Sequence, residues 1–144
     1  MSNDIQEAVR LEVERLHEFF VGWFNGTIPK TAFEADFLDR MSKDLVYILP
    51  GGNRLGLDEL TPAIREGYGS NPKFRIAIGD VQVRWVFDGY VLATYVEWQR
   101  NALASKPPDN GRISTVLFKG PEPLKWLHIH ETWLPADKMS AGPY

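Results

Sequence analysis

Two histidines alternate near the end of the chain, in the order His128-Ile-His130. On a strand, both imidazoles would lie on one face, where they could ligate a metal ion together. No third ligand is obvious, because Glu131 points to the opposite face and the remaining histidine, His17, is predicted on the first helix. The pattern is more typical of histidines that hydrogen-bond within a sheet or a subunit interface, so we expect neither a metal nor another cofactor.

Glu97 is the candidate for acid–base chemistry. It alternates with Tyr95 and Gln99 along a predicted strand, so these three side chains share one face. If that face lines an aromatic cavity, burial raises the pKa of Glu97 and makes it a candidate general acid or base. The alternative is a solvent-exposed edge glutamate, or one that pairs with Arg84 or Arg100.

The first half of the chain is predicted to form three helices. Apolar residues recur every three or four positions from Ile5 to Trp23, and Asn25-Gly26 ends this helix. Pro29 begins a second, shorter helix, and a third spans Leu57 to Glu66. The helices precede or interrupt a set of strands, which they could cover on one side.

Five segments have the alternation and the β-branched and aromatic residues of strands. They are Asp44 to Pro50, Phe74 to Phe87 with a bulge near Gly79, Tyr90 to Asn101, Arg112 to Lys119 and Leu124 to Leu134. Helices on one side of a curved antiparallel sheet make an α+β domain, and this is the predicted fold class.

The last two strands carry an Arg-x-Ser/Thr-x-Val segment, a short turn and a segment that ends in His-x-His-x-Ser/Thr. Together with the order of the elements, this pattern resembles the last hairpin of the nuclear transport factor 2-like superfamily. In particular, it looks like the SnoaL-like proteins and the kinase association domains within that superfamily. The resemblance extends over residues 3–135. The matching residues are Arg112, Ser114, Val116, His128, His130 and Thr132.

The resemblance implies a cone: a curved antiparallel sheet with three N-terminal-half helices packed on its concave face, often around a small-molecule pocket. It implies a single domain over residues 1–135, followed by a C-terminal tail, 136–144. Many members of the superfamily form homodimers through the outer face of the sheet. In the kinase association domains, the strand position similar to Glu97 looks into the pocket.

Counting residues from the turns pairs Glu97 with Thr115 across neighbouring strands, and this register predicts which side chains face the pocket. Glu97 is then the candidate catalytic residue. The predicted ligand-binding residues are Trp23, Tyr47, Tyr95, Gln99, Thr115 and Glu131. The outer face is predicted to form a homodimer interface that carries Trp98, Arg112, His128 and His130.

Two departures from the enzymes of the superfamily limit the reaction. In the ketosteroid isomerase branch, the first strand supplies an Asp base directly before a Pro, whereas this chain has Leu49 before Pro50. An aliphatic side chain cannot take a proton, so the isomerase reaction is disfavoured. Tyr47 could still donate a hydrogen bond to a ligand, or it could belong to the core. The paired Asp and His of the dehydratase branch are not evident.

Composition excludes several other classes of function. The chain has 144 residues, a formal charge of −3 and no cysteine. Without a basic run, nucleic acid is not an expected partner, and without thiols there is neither a disulfide nor a thiolate metal site. No apolar run is long enough for a membrane span or a signal peptide, so we expect no membrane partner and a cytoplasmic protein.

These observations predict a homodimeric small-molecule-binding domain of the SnoaL-like type, with an apolar pocket for a small apolar ligand. Two alternatives stay open. One is an acid–base enzyme, such as a cyclase, an isomerase or a hydro-lyase, that uses Glu97. The other is a non-catalytic association module with a filled interior.

Overall fold

The chain folds into helices and one six-stranded sheet, and the first two strands of that sheet lie between the second and third helices. The computed structural model describes residues 3–139, 142 and 143. The helices are α1 (Asn3–Asn25), α2 (Ala32–Asp36), α3 (Leu57–Glu66) and α4 (Ala136–Met139), and a 3-10 turn spans Leu38–Arg40. The strands are β1 (Met41–Ile48), β2 (Arg54–Gly56), β3 (Arg75–Phe87), β4 (Tyr90–Arg100), β5 (Asn110–Lys119) and β6 (Lys125–Trp133).

Six strands form one curved sheet in the order β2-β1-β6-β5-β4-β3, which does not close into a barrel. Neighbouring strands are antiparallel except that β1 runs parallel to β6. A parallel pair needs a long crossover connection, and the whole chain from β2 to β5 supplies it. The predicted α+β class is confirmed, and the single parallel pair arises because the first strand is added beside the last.

The apolar stripe of α1 packs on the sheet as predicted. Val9, Val13, Leu16 and Trp23 are buried, and each such side chain contributes roughly 1.5–3 kcal/mol when it leaves water. The helix ends at Asn25, because Gly26 follows with a φ of 77°, a conformation that residues with a Cβ rarely adopt.

An aromatic cluster joins α1 to α2. The ring of Phe19 stacks on those of Trp23 and Phe37, with centroid distances of 5.6 and 5.9 Å, and Phe33 lies 4.9 Å from Trp23. Aromatic pairs at these distances add to the free energy gained by burial. The short helix is therefore held by its side chains rather than by its own few hydrogen bonds.

Strand β3 bends where the sequence predicted a bulge. Its pairing with β4 changes register between Gly79 and Gln82. Gln6 of α1 binds this bend, since its Nε2 donates to the carbonyl of Val81 at 2.7 Å and its Oε1 accepts from the N–H of Val83 at 2.9 Å. The bulge frees these backbone groups from the sheet, and the helix uses them to fix its position.

Candidate functional site

A cavity of about 700 Å³ lies between α1, α3 and the concave face of the sheet. This volume is in the range of small-molecule pockets. Most of the wall is apolar and includes Phe20, Phe24, Leu60 and Phe74. The polar lining residues include a hydrogen-bonded cluster. Its members and their close neighbours are His17, Tyr47, Tyr95, Glu97, Gln99, Arg112 and Glu131.

The first half of the cluster is a pair formed by helix α1 and strand β4. His17 Nε2 lies 3.0 Å from Glu97 Oε1, and both side chains are buried. The other ring nitrogen, Nδ1, is 2.7 Å from the carbonyl oxygen of Val13. A carbonyl oxygen only accepts, so Nδ1 carries a hydrogen and Nε2 is the nitrogen that faces the carboxyl group.

The second half of the cluster is formed by β1, β5 and β6. Arg112 Nη1 donates to Glu131 Oε1 at 2.9 Å, and the hydroxyl of Tyr47 donates to the same oxygen at 2.6 Å. Ser114 Oγ donates to Glu131 Oε2 at 3.2 Å. Parallel pairing of β1 with β6 brings Tyr47 into this group, because Tyr47 is opposite Ile129 in the register.

Gln99 connects the two halves. Its Nε2 donates to Glu97 Oε2 at 2.6 Å, and its Oε1 accepts from Arg112 Nη2 at 3.0 Å. The same Nη2 also donates to Asn110 Oδ1 at 3.0 Å. One continuous network therefore runs from the backbone of α1, through Glu97 and Arg112, to Glu131.

The network reverses the effect that burial has on Glu97. Burial by itself raises the pKa of this carboxyl group, but the charge and hydrogen bond of His17, the charge of Arg112 and the hydrogen bond from Gln99 outweigh it and lower the pKa to about 2. Burial lowers the pKa of His17, yet the charge and hydrogen bond of Glu97 outweigh burial and raise it. The pair therefore favours an imidazolium ion facing a carboxylate, and the raised pKa expected for Glu97 from burial was wrong.

The other carboxyl group is shifted in the opposite direction. Burial and the charge of Glu97 raise the pKa of Glu131, and they outweigh the charge of Arg112 and the hydrogen bonds from Tyr47 and Arg112. Burial and the charge of Glu131 raise the pKa of Tyr47 well above its ordinary value. The surroundings thus separate the pKa values of two carboxyl groups in one cavity.

Of the seven residues predicted for the site, five border the cavity and two do not. The five are Tyr47, Tyr95, Glu97, Gln99 and Glu131. Thr115 is exposed on the outer face of the sheet, and Trp23 belongs to the core. Arg112, which was predicted on the outer face, is instead 4% exposed inside the cavity.

Strand register explains the exchange of Thr115 and Arg112. Glu97 is opposite Arg112 in the sheet, whereas counting from the turns had placed it opposite Thr115. The strand β5 begins earlier than predicted, at Asn110, because the N–H of Ala102 donates to the carbonyl of Pro108 and closes the preceding loop. The register is shifted by an odd number of residues, and such a shift moves every side chain of a strand to the other face.

Helical rotation explains the position of Trp23. Its Nε1 donates to the carbonyl oxygen of Ile64 at 2.7 Å, and its ring packs 4.6 Å from that of Tyr68. The cavity is bordered instead by Phe20 and Phe24, which lie on a neighbouring stripe of α1. Residues one position apart on a helix point about 100° apart, so Trp23 and Phe24 face different surroundings.

His17 is the residue of the candidate site that sequence reasoning missed. It follows Val13 by four residues, and residues at this spacing share a helix face. Val9 and Val13 are buried, so His17 continues a buried stripe. A polar residue in such a stripe needs a buried partner, and this signal was present in the sequence.

The outer face of the sheet carries the other predicted residues. His130 and Ile113 are exposed there, and His128 is partly exposed. Trp98 is half-buried, because Gly142 packs against its ring and a Cβ at Gly142 would lie 2.6 Å from Trp98 Cδ1. Gly142 of the chain itself therefore covers part of Trp98.

Among residues 3–139, 142 and 143, no three histidine, aspartate or glutamate side chains come close enough together to hold a metal ion. None of the described helices is both long and apolar enough to cross a membrane.

Comparison with known proteins identifies similar folds. No protein-family model matches the sequence, and no curated protein matches it. A nuclear transport factor 2-like protein of unknown function from Pseudomonas aeruginosa is 25% identical, with a TM-score of 0.77 over 89% of this chain and 99% of its own. A candidate dehydratase of the nuclear transport factor 2-like family from Streptomyces avermitilis is 16% identical, with a TM-score of 0.68 over 93% of this chain and 98% of its own.

An association domain has the same fold. The association domain of the C. elegans calcium/calmodulin-dependent protein kinase II is 12% identical, with a TM-score of 0.61 over 90% of this chain and 98% of its own. Together, these likenesses confirm the predicted resemblance to the nuclear transport factor 2-like superfamily at the level of the fold. The structures that match include both a candidate enzyme and an association domain, so the fold alone does not determine the function.

Proposed function

Starting from the nuclear transport factor 2-like fold, we propose that this chain binds a small, largely apolar molecule in the cavity between α1 and the sheet. The observation that carries the proposal is a set of linked buried ion pairs inside a largely apolar wall. Ligand sites combine such a wall with a few fixed polar groups that orient the ligand. His17–Glu97 and Arg112–Glu131 are held by hydrogen bonds that involve five elements, α1, β1, β4, β5 and β6, so their positions are set before any ligand enters.

The rim of the cavity supports an apolar ligand. Leu103 borders the cavity in the loop between β4 and β5, and it is 75% exposed. A large apolar side chain in water gains free energy when an apolar surface covers it. A bound molecule that reaches the rim would supply that surface.

A blocked cavity tests the proposal. Ala63 borders the cavity from α3 and is exposed, so Ala63→Trp fills the entrance without crowding the core. Ala8, on α1, is exposed away from the cavity, and Ala8→Trp is the matched control. N-phenyl-1-naphthylamine, a neutral apolar dye, is expected to bind the wild type saturably, and its affinity should fall about tenfold or more in Ala63→Trp alone. Equal affinity in both variants, or no saturable binding, would contradict the proposal.

A second candidate function is acid–base catalysis on a bound substrate, because the imidazole and the carboxyl group of the buried pair can both exchange protons. An efficient general base has a pKa near the working pH, whereas the surroundings of Glu97 lower its pKa to about 2. A titration of the glutamate carboxyl carbons by NMR tests this second candidate. A Glu97 pKa below its ordinary value of 4.5 would count against Glu97 as the general base, and a value above about 6 would favour the enzyme.

We also propose that two copies of the chain associate through the outer face of the sheet. Its central rows carry no lysine, aspartate or glutamate, and charged residues are depleted at the centre of interfaces. The rows are Thr94-Thr115-His130 and Val96-Ile113-Thr132. The fold is also that of an association domain, which is consistent with assembly of this kind.

A further inference from the structure

Strand β3 has an open edge at the side of the sheet. It is the last strand in the order β2-β1-β6-β5-β4-β3, so no strand of the described sheet pairs with its outer edge. Gln6 of α1 covers this edge at the bulge, where it binds the carbonyl of Val81 and the N–H of Val83. The residues that follow, 84–88, lie beyond these contacts, and we call them the edge segment.

The pairing with neighbouring strands shows which backbone groups of the edge segment point outwards. The N–H of Gly120 donates to the carbonyl of Gly89 at 3.0 Å, so Gly89 faces β5. Backbone groups alternate between the two sides of an antiparallel strand, so Tyr90 faces β3, where it is opposite Phe87. Phe87 therefore faces β4 in turn, and the N–H and carbonyl of Val86 point to the open edge.

The edge segment is apolar and exposed. Trp85, Val86 and Phe87 are 63%, 40% and 50% exposed. An open strand edge is a template for another strand, and exposed apolar patches mark sites of interaction. Phe87 shares its row of the sheet with Lys119 and Lys125, so the edge segment lies outside the uncharged central rows of the outer face.

The edge segment is complementary to itself. Its sequence is Arg-Trp-Val-Phe-Asp. When two copies run antiparallel with Val86 opposite Val86, Trp85 is opposite Phe87 and Arg84 is opposite Asp88, and each pair occurs twice. Aromatic pairs and pairs of opposite charge stabilise neighbouring strands. Trp85 and Phe87 would be a non-hydrogen-bonded pair, in which the two side chains approach each other more closely.

We propose that the open edge of β3 binds a second copy of this chain, whose edge segment adds as an antiparallel strand about a two-fold axis at Val86. The two Val86 residues exchange both backbone hydrogen bonds, which satisfies their outward groups. The second chain turns back at Gly89, so it leaves the edge before the position where Gln6 holds Val83. This inference is independent of the ligand proposed for the cavity.

The length of the edge segment sets the strength of the contact. Five residues from each copy bury much less than the roughly 800 Å² per partner of a stable interface. The contact therefore forms at high protein concentration, where it brings together dimers that already associate through the outer face. Two interfaces of this kind on one chain would give assemblies larger than a dimer.

Cross-linking tests the position of the axis, because the chain has no cysteine of its own. Val86→Cys places two thiols on the axis, where the Cα atoms of a hydrogen-bonded pair are about 5.5 Å apart, a distance that a disulfide spans. Gln82→Cys is the matched control, since Gln82 is exposed on the same strand but its two copies would lie more than about 20 Å apart. At high protein concentration, copper-catalysed oxidation should link Val86→Cys at least about tenfold faster than Gln82→Cys.

Reversal of the charges tests the register. In the Val86→Cys background, Arg84→Asp and Asp88→Arg should each slow the cross-linking severalfold, because each places like charges opposite each other. The double variant Arg84→Asp/Asp88→Arg exchanges the two charges and should restore the rate. Restoration by the second change is not expected if either single variant merely disturbs the hairpin.

Sedimentation of the wild type covers the case in which a variant fails to fold. Its mean mass should rise further with concentration than that of the outer-face dimer. Equal rates for Val86→Cys and Gln82→Cys, rates that do not respond to the charges, or a mass that stays constant would overturn the inference. An edge that instead binds an extended segment of a different protein would give these same results for the purified chain.

Discussion

His17 Nε2 and Glu97 Oε1 lie 3.0 Å apart, although one residue is on the first helix and the other is on the fourth strand. The contact joins the helical layer to the sheet at the cavity. The contact also affects the protonation of both groups, because each charged group stabilises the charged form of the other. Its contribution to folding therefore depends on pH.

We expect the His17–Glu97 pair to contribute most to the free energy of unfolding between about pH 4.5 and 6.5, and to contribute less on both sides of this range. The pKa of Glu97 is lowered from 4.5 to about 2, so its stabilisation is complete above pH 4.5 and is lost as the pH falls towards 2. The pKa of His17 is raised from 6.5, so its stabilisation is complete below pH 6.5 and is lost as the pH rises through the raised value. Urea denaturation over this range measures the profile.

His17→Gln tests the assignment of this profile, because glutamine can still donate to Glu97 but carries no charge. At a pH between 4.5 and 6.5, the free energy of unfolding of the variant should be lower than that of the wild type by on the order of 2 kcal/mol. Above pH 6.5, the free energy of unfolding of the variant should change less with pH than that of the wild type. His130→Gln is the control, since His130 is exposed on the outer face. If the two variants have the same pH profile, His17 is not the group responsible.

Gly67→Ala should destabilise the protein by roughly 1–3 kcal/mol, because it crowds a wall of the cavity. A Cβ at this position would overlap the ring of Phe24, which borders the cavity. Thermal denaturation followed by circular dichroism measures the loss. Gly51→Ala is the matched control, since its Cβ would meet no atom within 4 Å, and its stability should be unchanged. Equal melting temperatures for the two variants would show that Phe24 moves aside freely.

Ile113→Glu should convert the proposed dimer into monomers. Ile113 is 40% exposed at the centre of the outer face, and a glutamate there would place two carboxylates among rows that carry no lysine, aspartate or glutamate. Light scattering coupled to size-exclusion chromatography measures the mass. Leu103→Glu makes the same kind of change at the cavity rim, and it should leave the mass of the dimer unaltered. A wild type that is monomeric at high concentration, or a dimeric Ile113→Glu, would rule out this interface.

Local sequence patterns were sufficient to predict most of the helices and strands of the fold. The apolar stripe of α1, the helix over Leu57–Glu66 and the bulge near Gly79 lie where the sequence predicted them, and the four long strands begin and end within two residues of their predicted bounds. Each depends on interactions between residues close in the chain, namely helical or strand periodicity and turn chemistry, so a single sequence carries the information. Glu97 and Gln99 were identified as one face of β4 for the same reason.

The composition of the site depended on contacts between residues far apart in the chain. The register of β5 against β4 moved Arg112 into the cavity and Thr115 out of it, because the loop that begins after Asn101 is closed by its own hydrogen bonds. The pairing of Glu97 with His17 depends on how α1 packs on the sheet, namely on the rotation of the helix about its axis and on its position along that axis. A strand pattern repeats every two residues, so it cannot by itself distinguish one register from the next, and only packing of the whole chain selects one.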